Sequence, residues 1–379
     1  EGFFGLNQGV QPLLFWALIF AVYAFVWEWL AAPRQVSEVA DPGRRRLLVA
    51  LPAGLAAASL GTIGALRVPQ WLATAVTPPE DVIVGPLPAL TPVNMFYVVS
   101  KNFQDPVISA AGWSLQVGGM ADRSMKLSLA DLAAIPSVTE VITMECVSNT
   151  VGGPLMSTGR FTGVSLRDLL VMASPRPGAR AVAFTSHDGY TESLPLDFVM
   201  QTPQILVAHR LNGKPLPDLH GFPARIVVPG RYGMKSPKWL DSIQLVTAVE
   251  NGYWEQQGWD QDAVVRTTAR FDEPVAGYLV HVNKPQQLAG VAFAGTRGIQ
   301  GVEWTVDDGR TWNRADLEAP LSPLTWVRWT ATWTPTKQGG HQLRVRAKDG
   351  SGQWQTTTDT ASFPSGATGQ HRIDVWVAS

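Results

Sequence analysis

The chain has a single cysteine, Cys146, among its 379 residues. One cysteine forms no internal disulfide, and an iron–sulfur cluster needs about four thiolates. Cys146 is therefore a buried small hydrophobe, a reactive thiolate or a ligand to a group brought in from outside. It follows the apolar, strand-like residues 141–144 and precedes a polar, glycine-containing loop over 148–154. Because loops at strand ends often carry ligands and catalysts, the position favours a functional thiol.

Charged residues are also scarce, at 16% against roughly 25% in ordinary soluble domains. The net charge of −1 predicts no attraction to nucleic acid or acidic substrates. The deficit is concentrated near the N-terminus, where the apolar run 13–32 carries one charge, Glu28, close to its end. At about 1.5 Å per residue, such a run spans a bilayer core of roughly 30 Å, and Trp27 and Trp29 suit the membrane interface.

A second apolar run, 47–66, carries no charge and lies between Arg46 and Arg67. Together the two runs define a predicted membrane region over residues 1–66. Its modest hydrophobicity and Pro52 leave a signal-like or buried helix as the alternative. The connection between the two runs carries four arginines, Arg34, Arg44, Arg45 and Arg46. By the positive-inside rule this connection is cytoplasmic. We therefore expect a cell-membrane protein whose catalytic part lies on the periplasmic, extracytoplasmic side.

The remaining chain divides into three parts by composition. Residues 67–92 contain six prolines, which favours an extended tether. Residues 93–261 mix strand-like segments, at 97–99 and 113–117, with short helices that begin at Ser128 and Ser165, a mixture typical of α+β domains. In residues 262–379, apolar and charged residues alternate over 343–348 and 372–377, with turn signals between the runs. This pattern predicts an immunoglobulin-like β-sandwich.

Three segments together resemble the sulfite oxidase family of molybdopterin-dependent oxidoreductases, in its membrane-anchored bacterial branch. They are 143–149 (TMECVSN), 220–230 (HGFPARIVVPG) and 233–240 (GMKSPKWL). Their order and spacing match the family, and the resemblance extends over about 91–379. It implies an α+β molybdopterin-binding domain with a molybdenum pyranopterin cofactor, followed by an immunoglobulin-like domain that mediates dimerisation in the family.

The resemblance also implies roles for individual residues. Cys146 matches the cysteine that binds molybdenum, where a soft, deprotonated sulfur complements the two sulfurs of the pterin dithiolene. The implied cofactor-binding residues are Asn102, Cys146, Asp188, His220, Arg225, Lys235, Ser236 and Lys238. Arginine and lysine suit the cofactor's phosphate, and charges inside apolar segments, as at Arg225, need partners.

The chain departs from the family pattern where sulfite oxidases bind their substrate. Thr150 and Val151 stand in place of two arginines that follow the metal cysteine, and Lys101 stands in place of a third. Trp259 falls near the place of the family's substrate tyrosine. Cys146, Lys101 and Trp259 are thus the predicted catalytic residues. We expect sulfite to be a poor substrate and a neutral or larger molecule to be preferred.

None of the six histidines lies in the apolar runs, so no haem is expected between those helices. The first hypothesis is a membrane-anchored oxidoreductase that transfers oxygen atoms and exchanges electrons with a separate cytochrome or quinone-linked partner, as a homodimer or within a larger complex. The second is an oxide reductase that resembles the periplasmic methionine sulfoxide reductases. The third is a non-catalytic accessory subunit of a membrane redox complex.

Overall fold

The computed structural model describes residues 87–379, which belong to one compact unit over Ile83–Ser379. The predicted membrane spans 13–32 and 47–66, and most of the proline-rich segment 67–92, lie outside the described residues. In the part of the chain that is described, no helix combines the length and the apolar character needed to cross a membrane.

Strands predominate over helices in this part of the chain. The α-helices are α1 Leu129–Ala134, α2 Leu166–Ala173 and α3 Leu196–Gln201. The strands are β1 Leu115–Gly119, β2 Met125–Leu127, β3 Val138–Glu145, β4 Met156–Ser165, β5 Ala181–Ser186, β6 Thr191–Pro195, β7 Leu206–Leu211, β8 Lys214–Pro215, β9 Arg225–Val227, β10 Leu240–Val246, β11 Thr268–Glu273, β12 Leu279–His281, β13 Gln286–Phe293, β14 Ile299–Thr305, β15 Asn313–Arg314, β16 Asp316–Leu317, β17 Val327–Trp333, β18 Gly339–Asp349 and β19 Arg372–Ala378.

The first ten strands form two sheets. One has the order β2-β1-β10-β5-β6, with β1 and β10 parallel; the other has the order β3-β4-β7-β8, with β9 paired to β7. A large apolar cluster packs the first sheet against α1 and α2, and includes Leu115, Leu132, Leu170 and Ile243. The domain therefore mixes strands with short helices, as predicted. The sheets end near one another at the loops that follow β3 and precede β10.

The predicted helix starts are confirmed in position. Ser128 caps α1, with its hydroxyl accepting from the Asp131 N–H while the Asp131 carboxylate accepts from the Ser128 N–H, which satisfies two otherwise unpaired donors. At α2 the Ser165 hydroxyl donates to the Pro203 carbonyl and makes no cap. The strand predicted over 97–99 is wrong: this segment joins no sheet, and the Tyr97 N–H donates to the Ser157 hydroxyl.

The last nine strands form the predicted β-sandwich. Its sheets have the orders β11-β13-β17-β16 and β12-β19-β18-β14-β15. The alternation is confirmed, because the apolar members point into the common core, among them Leu343, Val345, Ala347, Ile373, Val375 and Val377. The sandwich also reaches the other sheets directly, since the Thr143 N–H in β3 donates to the Leu324 carbonyl at 3.0 Å.

Candidate functional site

A cleft of about 200 Å³ opens beside the C-terminal end of β3. Its wall is formed by the segments 96–101, 144–148, 188–190, 219–225 and 233–239, together with two tryptophans. Eight of the predicted site residues line it: Lys101, Cys146, Asp188, His220, Arg225, Ser236, Lys238 and Trp259. Two others, Asn102 and Lys235, lie outside this wall.

Cys146 follows directly on β3 and is 8% exposed. Its sulfur lies 3.0 Å from the Ser148 hydroxyl, and burial raises the pKa of the thiol above its usual value. The loop is held closed by Asn149, whose side chain donates to Glu145 at 2.9 Å and accepts from the Leu155 N–H at 3.0 Å. Because these hydrogen bonds hold both ends of the loop, the position of the Cys146 thiol beside the cleft is fixed.

Arg225 is the buried cation of the cleft. Its guanidinium donates to the His220 carbonyl at 3.2 Å and to the Ser236 carbonyl at 3.0 Å. None of the ion pairs within residues 87–379 includes it, and burial lowers its pKa to about 10, so it stays charged at neutral pH. A buried charge with only carbonyl partners is costly. Arg225 is therefore suited to receive an anion.

His220 is buried beside Arg225 and packs edge-on against Phe96, with ring centroids 5.4 Å apart. Burial lowers the pKa of His220 to about 4, with the positive charge of Arg225 acting in the same direction. The imidazole is therefore neutral at pH 7 and can offer a hydrogen bond without adding charge.

Lys238 brings a second cation to the wall. Its ammonium donates to the Leu219 carbonyl at 3.1 Å, lies 3.9 Å from the Asp105 carboxylate and 4.1 Å from the centre of the Trp239 ring. Burial lowers its pKa to about 8. The neighbouring Ser236 is also buried, and its hydroxyl accepts from the Val228 N–H at 3.0 Å.

Lys101 already has an acidic partner. Its ammonium lies 3.5 Å from the Asp188 carboxylate and donates to the Asp188 carbonyl at 2.9 Å and to the Asn102 side chain at 2.8 Å. Asn102 donates in turn to the Asp188 carboxylate at 2.8 Å. These contacts largely neutralise the charge of Lys101. Asn102 does not line the cleft and affects it only through Lys101 and Asp188.

Trp259 forms part of an aromatic wall. It packs edge-on against Trp254, with ring centroids 6.5 Å apart, and against Phe363 of the sandwich at 5.2 Å. The two residues that replace the family's arginines are not in the wall: Thr150 is exposed, and neither it nor Val151 lines the cleft.

Lys235 points away from the cleft, although both of its neighbours line it. Its ammonium is buried between two carboxyl groups, donating to Glu192 and, at 2.8 Å, to Glu255.

Three cleft residues were missed from the sequence. Tyr190 is buried and Tyr97 is partly buried, and desolvation raises the pKa of both well above the usual value. The Tyr190 hydroxyl donates to the Met234 carbonyl at 2.7 Å. The third is Trp254. Tyr190 lies two positions after Asp188, and Tyr97 lies four positions before Lys101, so both stand near predicted site residues in the sequence. Nothing local distinguishes them from core residues.

Known proteins resemble this chain in sequence and in fold. The model of the oxidoreductase molybdopterin binding domain matches residues 102–254. The uncharacterized oxidoreductase YuiH of Bacillus subtilis is 36% identical over 39% of this chain and 72% of its own length. Sulfite oxidase of Arabidopsis thaliana is 28% identical over 63% of this chain and 72% of its own length. The crystal structure of the sulfane dehydrogenase SoxCD from Paracoccus pantotrophus matches with a TM-score of 0.65 at 20% identity, covering 75% of this chain and 80% of that chain, which shows a shared fold.

Longer relatives match as well. A nitrate reductase of Volvox carteri is 27% identical over 67% of this chain, but the chain spans only 36% of that enzyme. Together, the matches and the cleft define an oxidoreductase that binds a molybdenum–molybdopterin cofactor. Within that class, the chain belongs to the sulfite oxidase family.

Proposed function

We propose that the protein transfers an oxygen atom to or from a neutral or larger substrate at a molybdenum centre bound by Cys146. The observation that carries this proposal is one cleft that joins the single thiol to a buried guanidinium. Cys146 and Arg225 both line it, and Arg225 has only carbonyl partners among the described residues. A thiolate suits molybdenum, and a guanidinium suits the phosphate that the cofactor carries.

The residues of the cleft fit the cofactor in charge and in kind. Arg225 and Lys238 supply the cations, and Ser236 lies in the same wall segment as Lys238. His220 is neutral at pH 7 and can bond the polar pterin. Asp188 supplies a further polar group in the wall, and Asn102, outside the wall, donates a hydrogen bond to it. When bound, the cofactor supplies the oxygen-transfer and redox chemistry. The protein residues hold it, exclude water and orient the substrate.

Three observations support a neutral or larger substrate. Lys101 is paired with Asp188, so it contributes little net charge. Thr150 and Val151 lie outside the cleft wall. Trp254 and Trp259 make part of the wall aromatic.

Sulfite is a compact anion that needs charge-assisted hydrogen bonds of about 1.5–3 kcal/mol each. The loss of two such bonds predicts roughly two to four decades lower kcat/KM for sulfite.

Steady-state kinetics test this proposal. We expect sulfite-dependent reduction of ferricyanide or cytochrome c to be weak, and reduction of the same acceptors by a neutral organic thioether to be faster. A kcat/KM for sulfite of about 10⁴ M⁻¹s⁻¹ or more, in the ordinary enzyme range, would contradict it.

A reductase of oxides is the second candidate. The aromatic wall at Trp259 suits the apolar body of a sulfoxide as well as that of a thioether. The direction of electron flow separates the two functions. Reoxidation of the dithionite-reduced protein by a sulfoxide supports the reductase, whereas reduction of the oxidised protein by a thioether supports the oxidase.

The proposal includes a place in the cell and a partner. We place residues 68–379 on the extracytoplasmic side of the cell membrane, anchored by the runs 13–32 and 47–66, and we expect electron exchange with a cytochrome or a quinone-linked subunit. The support is the arginine cluster between two apolar runs. Protease added to intact spheroplasts should cut the catalytic part. Protection there, with digestion in inverted vesicles, would reverse the orientation.

A further inference from the structure

Behind the cleft lies a buried cluster of three charged residues, Glu192, Lys235 and Glu255, which we call the Glu–Lys–Glu cluster. Their side chains are 0%, 3% and 2% exposed. The ammonium of Lys235 donates to one oxygen of each carboxyl group. The cluster has no part in the cofactor contacts described above.

Each member of the cluster comes from a different segment of the cleft wall. Glu192 follows the wall residue Tyr190 by two positions, and Glu255 follows the wall residue Trp254 directly. Lys235 stands between the wall residues 234 and 236. None of the three lines the cleft, and the charges of Glu192 and Glu255 act on the wall residue Tyr190, so the cluster lies close to the wall.

A second cavity, of about 100 Å³, reaches the cluster at Lys235. Lys235 lines it together with Ser193, Arg231, Gln261 and Asp262. Arg231 lies 3.8 Å from Asp262, whose side chain is 84% exposed, so this cavity leads towards solvent. Through Lys235 the Glu–Lys–Glu cluster thus borders a second opening, whose lining is mixed, with apolar residues such as Leu194 and Phe198 beside the polar ones.

The cluster has one positive group for two carboxyl groups. One oxygen of each, Glu192 Oε2 and Glu255 Oε2, is buried without a hydrogen-bond partner. A buried, unpaired carboxylate oxygen is costly, and a bound proton removes the cost. In agreement, burial raises the pKa of Glu192 to about 8, against the opposing effect of Lys235. The geometry and the charge balance therefore favour one proton held in the cluster at neutral pH.

We propose that the Glu–Lys–Glu cluster carries protons between the cleft and the second cavity during turnover. The inference rests on the proposed function. When a substrate X is oxidised, X and H₂O give XO, two protons and two electrons, and the electrons pass singly to a one-electron carrier such as a haem protein. The cluster takes up a proton at a glutamate oxygen and releases it to the second cavity. Reduction of XO consumes two protons by the reverse route.

Titratable groups outside the cluster line both ends of this route. Tyr190 lines the cleft, and the charges of Glu192, Glu255 and Asp188 raise its pKa in addition to burial. On the solvent side stand Arg231 and Asp262.

Infrared spectroscopy of the wild-type holoprotein with isotope-labelled glutamate tests the held proton without reference to activity. We expect a carboxylic acid component at pH 7 that disappears as the pH rises above about 8 and that Glu192→Gln removes. Glu145, whose pKa burial raises to about 7, gives a separate component that the variant keeps. Absence in the wild type of a component that titrates near pH 8 would overturn the inference, even if every variant failed to fold.

Kinetics test the transport itself. Glu192→Gln and Glu255→Gln, with molybdenum content verified, should lower kcat by about 10²-fold, and small weak bases such as imidazole should restore part of the rate. The matched control Glu250→Gln, at an exposed nearby glutamate, should behave as the wild type. Unchanged kcat, or a loss that imidazole does not rescue, overturns the inference. Failure of the wild type to transfer oxygen atoms overturns the proposed function instead, because the infrared result is independent of turnover.

Discussion

Cys146 and Arg225 illustrate how single residues acquire their roles from burial. A cysteine beside a strand end is ambiguous by itself, and an arginine within an apolar run is unusual but uninformative about its partner. In the structure both face one cleft. The thiol has a raised pKa because it is buried, and the guanidinium has no acidic partner among the described residues. Both residues are prepared for a group from outside the chain, since a metal deprotonates a thiol and an anion satisfies a guanidinium.

The first prediction concerns the thiol. Cys146→Ser should abolish activity, because a hydroxyl does not replace a soft thiolate at molybdenum. The fold should persist, since the hydroxyl fits the same space and Ser148 can hydrogen-bond it. X-ray absorption at molybdenum should show one sulfur fewer than in the wild type, and circular dichroism should show no change. An unchanged sulfur count in the variant would contradict the assigned ligand.

The second prediction concerns the buried guanidinium. Arg225→Gln should reduce cofactor content about 10-fold or more, because each lost charge-assisted hydrogen bond costs about 1.5–3 kcal/mol. Molybdenum and pterin analysis of purified protein measures this. Arg176→Gln is the matched control, as Arg176 is exposed and paired with Asp122. Full cofactor content in Arg225→Gln would show that Arg225 is only structural.

At the scale of elements, the site is built from short turns rather than from long helices or strands. Two single 3₁₀ turns, Asp218–His220 and Gly233–Lys235, shape the surroundings of Arg225. They place the carbonyl groups of His220 and Ser236 where both accept hydrogen bonds from its guanidinium. The first turn ends at Gly221 with a φ of 101°. This conformation is strained for any residue with a Cβ atom.

The third prediction belongs to this turn. A Cβ atom at Gly221 would lie 2.9 Å from Lys238 Cβ and 3.2 Å from Arg225 Cβ. Gly221→Ala should therefore cost more than the roughly 1–2 kcal/mol of a left-handed residue alone and should also lower cofactor content. Gly213→Ala supplies the control, because Gly213 has a φ of 81° and open space around it. Equal destabilisation of the two variants in urea titrations, with equal cofactor content, would show that the contact does not matter.

At the scale of the whole molecule, the sandwich helps to complete the site. Arg270 in β11 donates to the Gly153 carbonyl in the loop after Cys146. Phe363 packs on Trp259, and Trp326 donates from its ring to the Ala89 carbonyl at 3.1 Å. The sandwich thus supports the loop after Cys146 and the rim of the cleft. The predicted boundary between residues 261 and 262 separates two sets of strands that remain in close contact.

The fourth prediction concerns stability of the whole molecule against pH. The folded-state pKa of Glu192 is raised to about 8, above its value in the unfolded chain. Its contribution is therefore complete below about pH 4.5 and is lost as the pH rises through 8. Between pH 6.5 and 8 the free energy of unfolding should fall, by at most about 1.4 kcal/mol per pH unit for this one proton.

Urea titrations across that range measure the slope, and Glu192→Gln should reduce it to the part that comes from Glu145, whose pKa burial raises to about 7. His220 and His371, whose pKa values are lowered to about 4, affect the slope only below pH 6.5. A slope that is the same in the variant and the wild type would place the proton elsewhere.

The sequence alone determined the cofactor class and the architecture of residues 87–379. The motif at Cys146 and the segments 220–230 and 233–240 are contiguous, and the alternation over 343–348 follows from the two-residue period of a strand. Such features are local, so they can be recognised without a structure. Ser128 was predictable for the same reason, because a helix cap is satisfied within four residues.

Tertiary structure alone decided the direction of the side chains in the irregular turns. Ser236 faces the cleft while its neighbour Lys235 is turned to Glu192 and Glu255, and Lys101 is neutralised by Asp188, 87 residues away along the chain. Turns without a regular period give no rule for which side chain faces inward. Burial, long-range packing and the pairing of charges set those directions, and they exist only once the chain has folded.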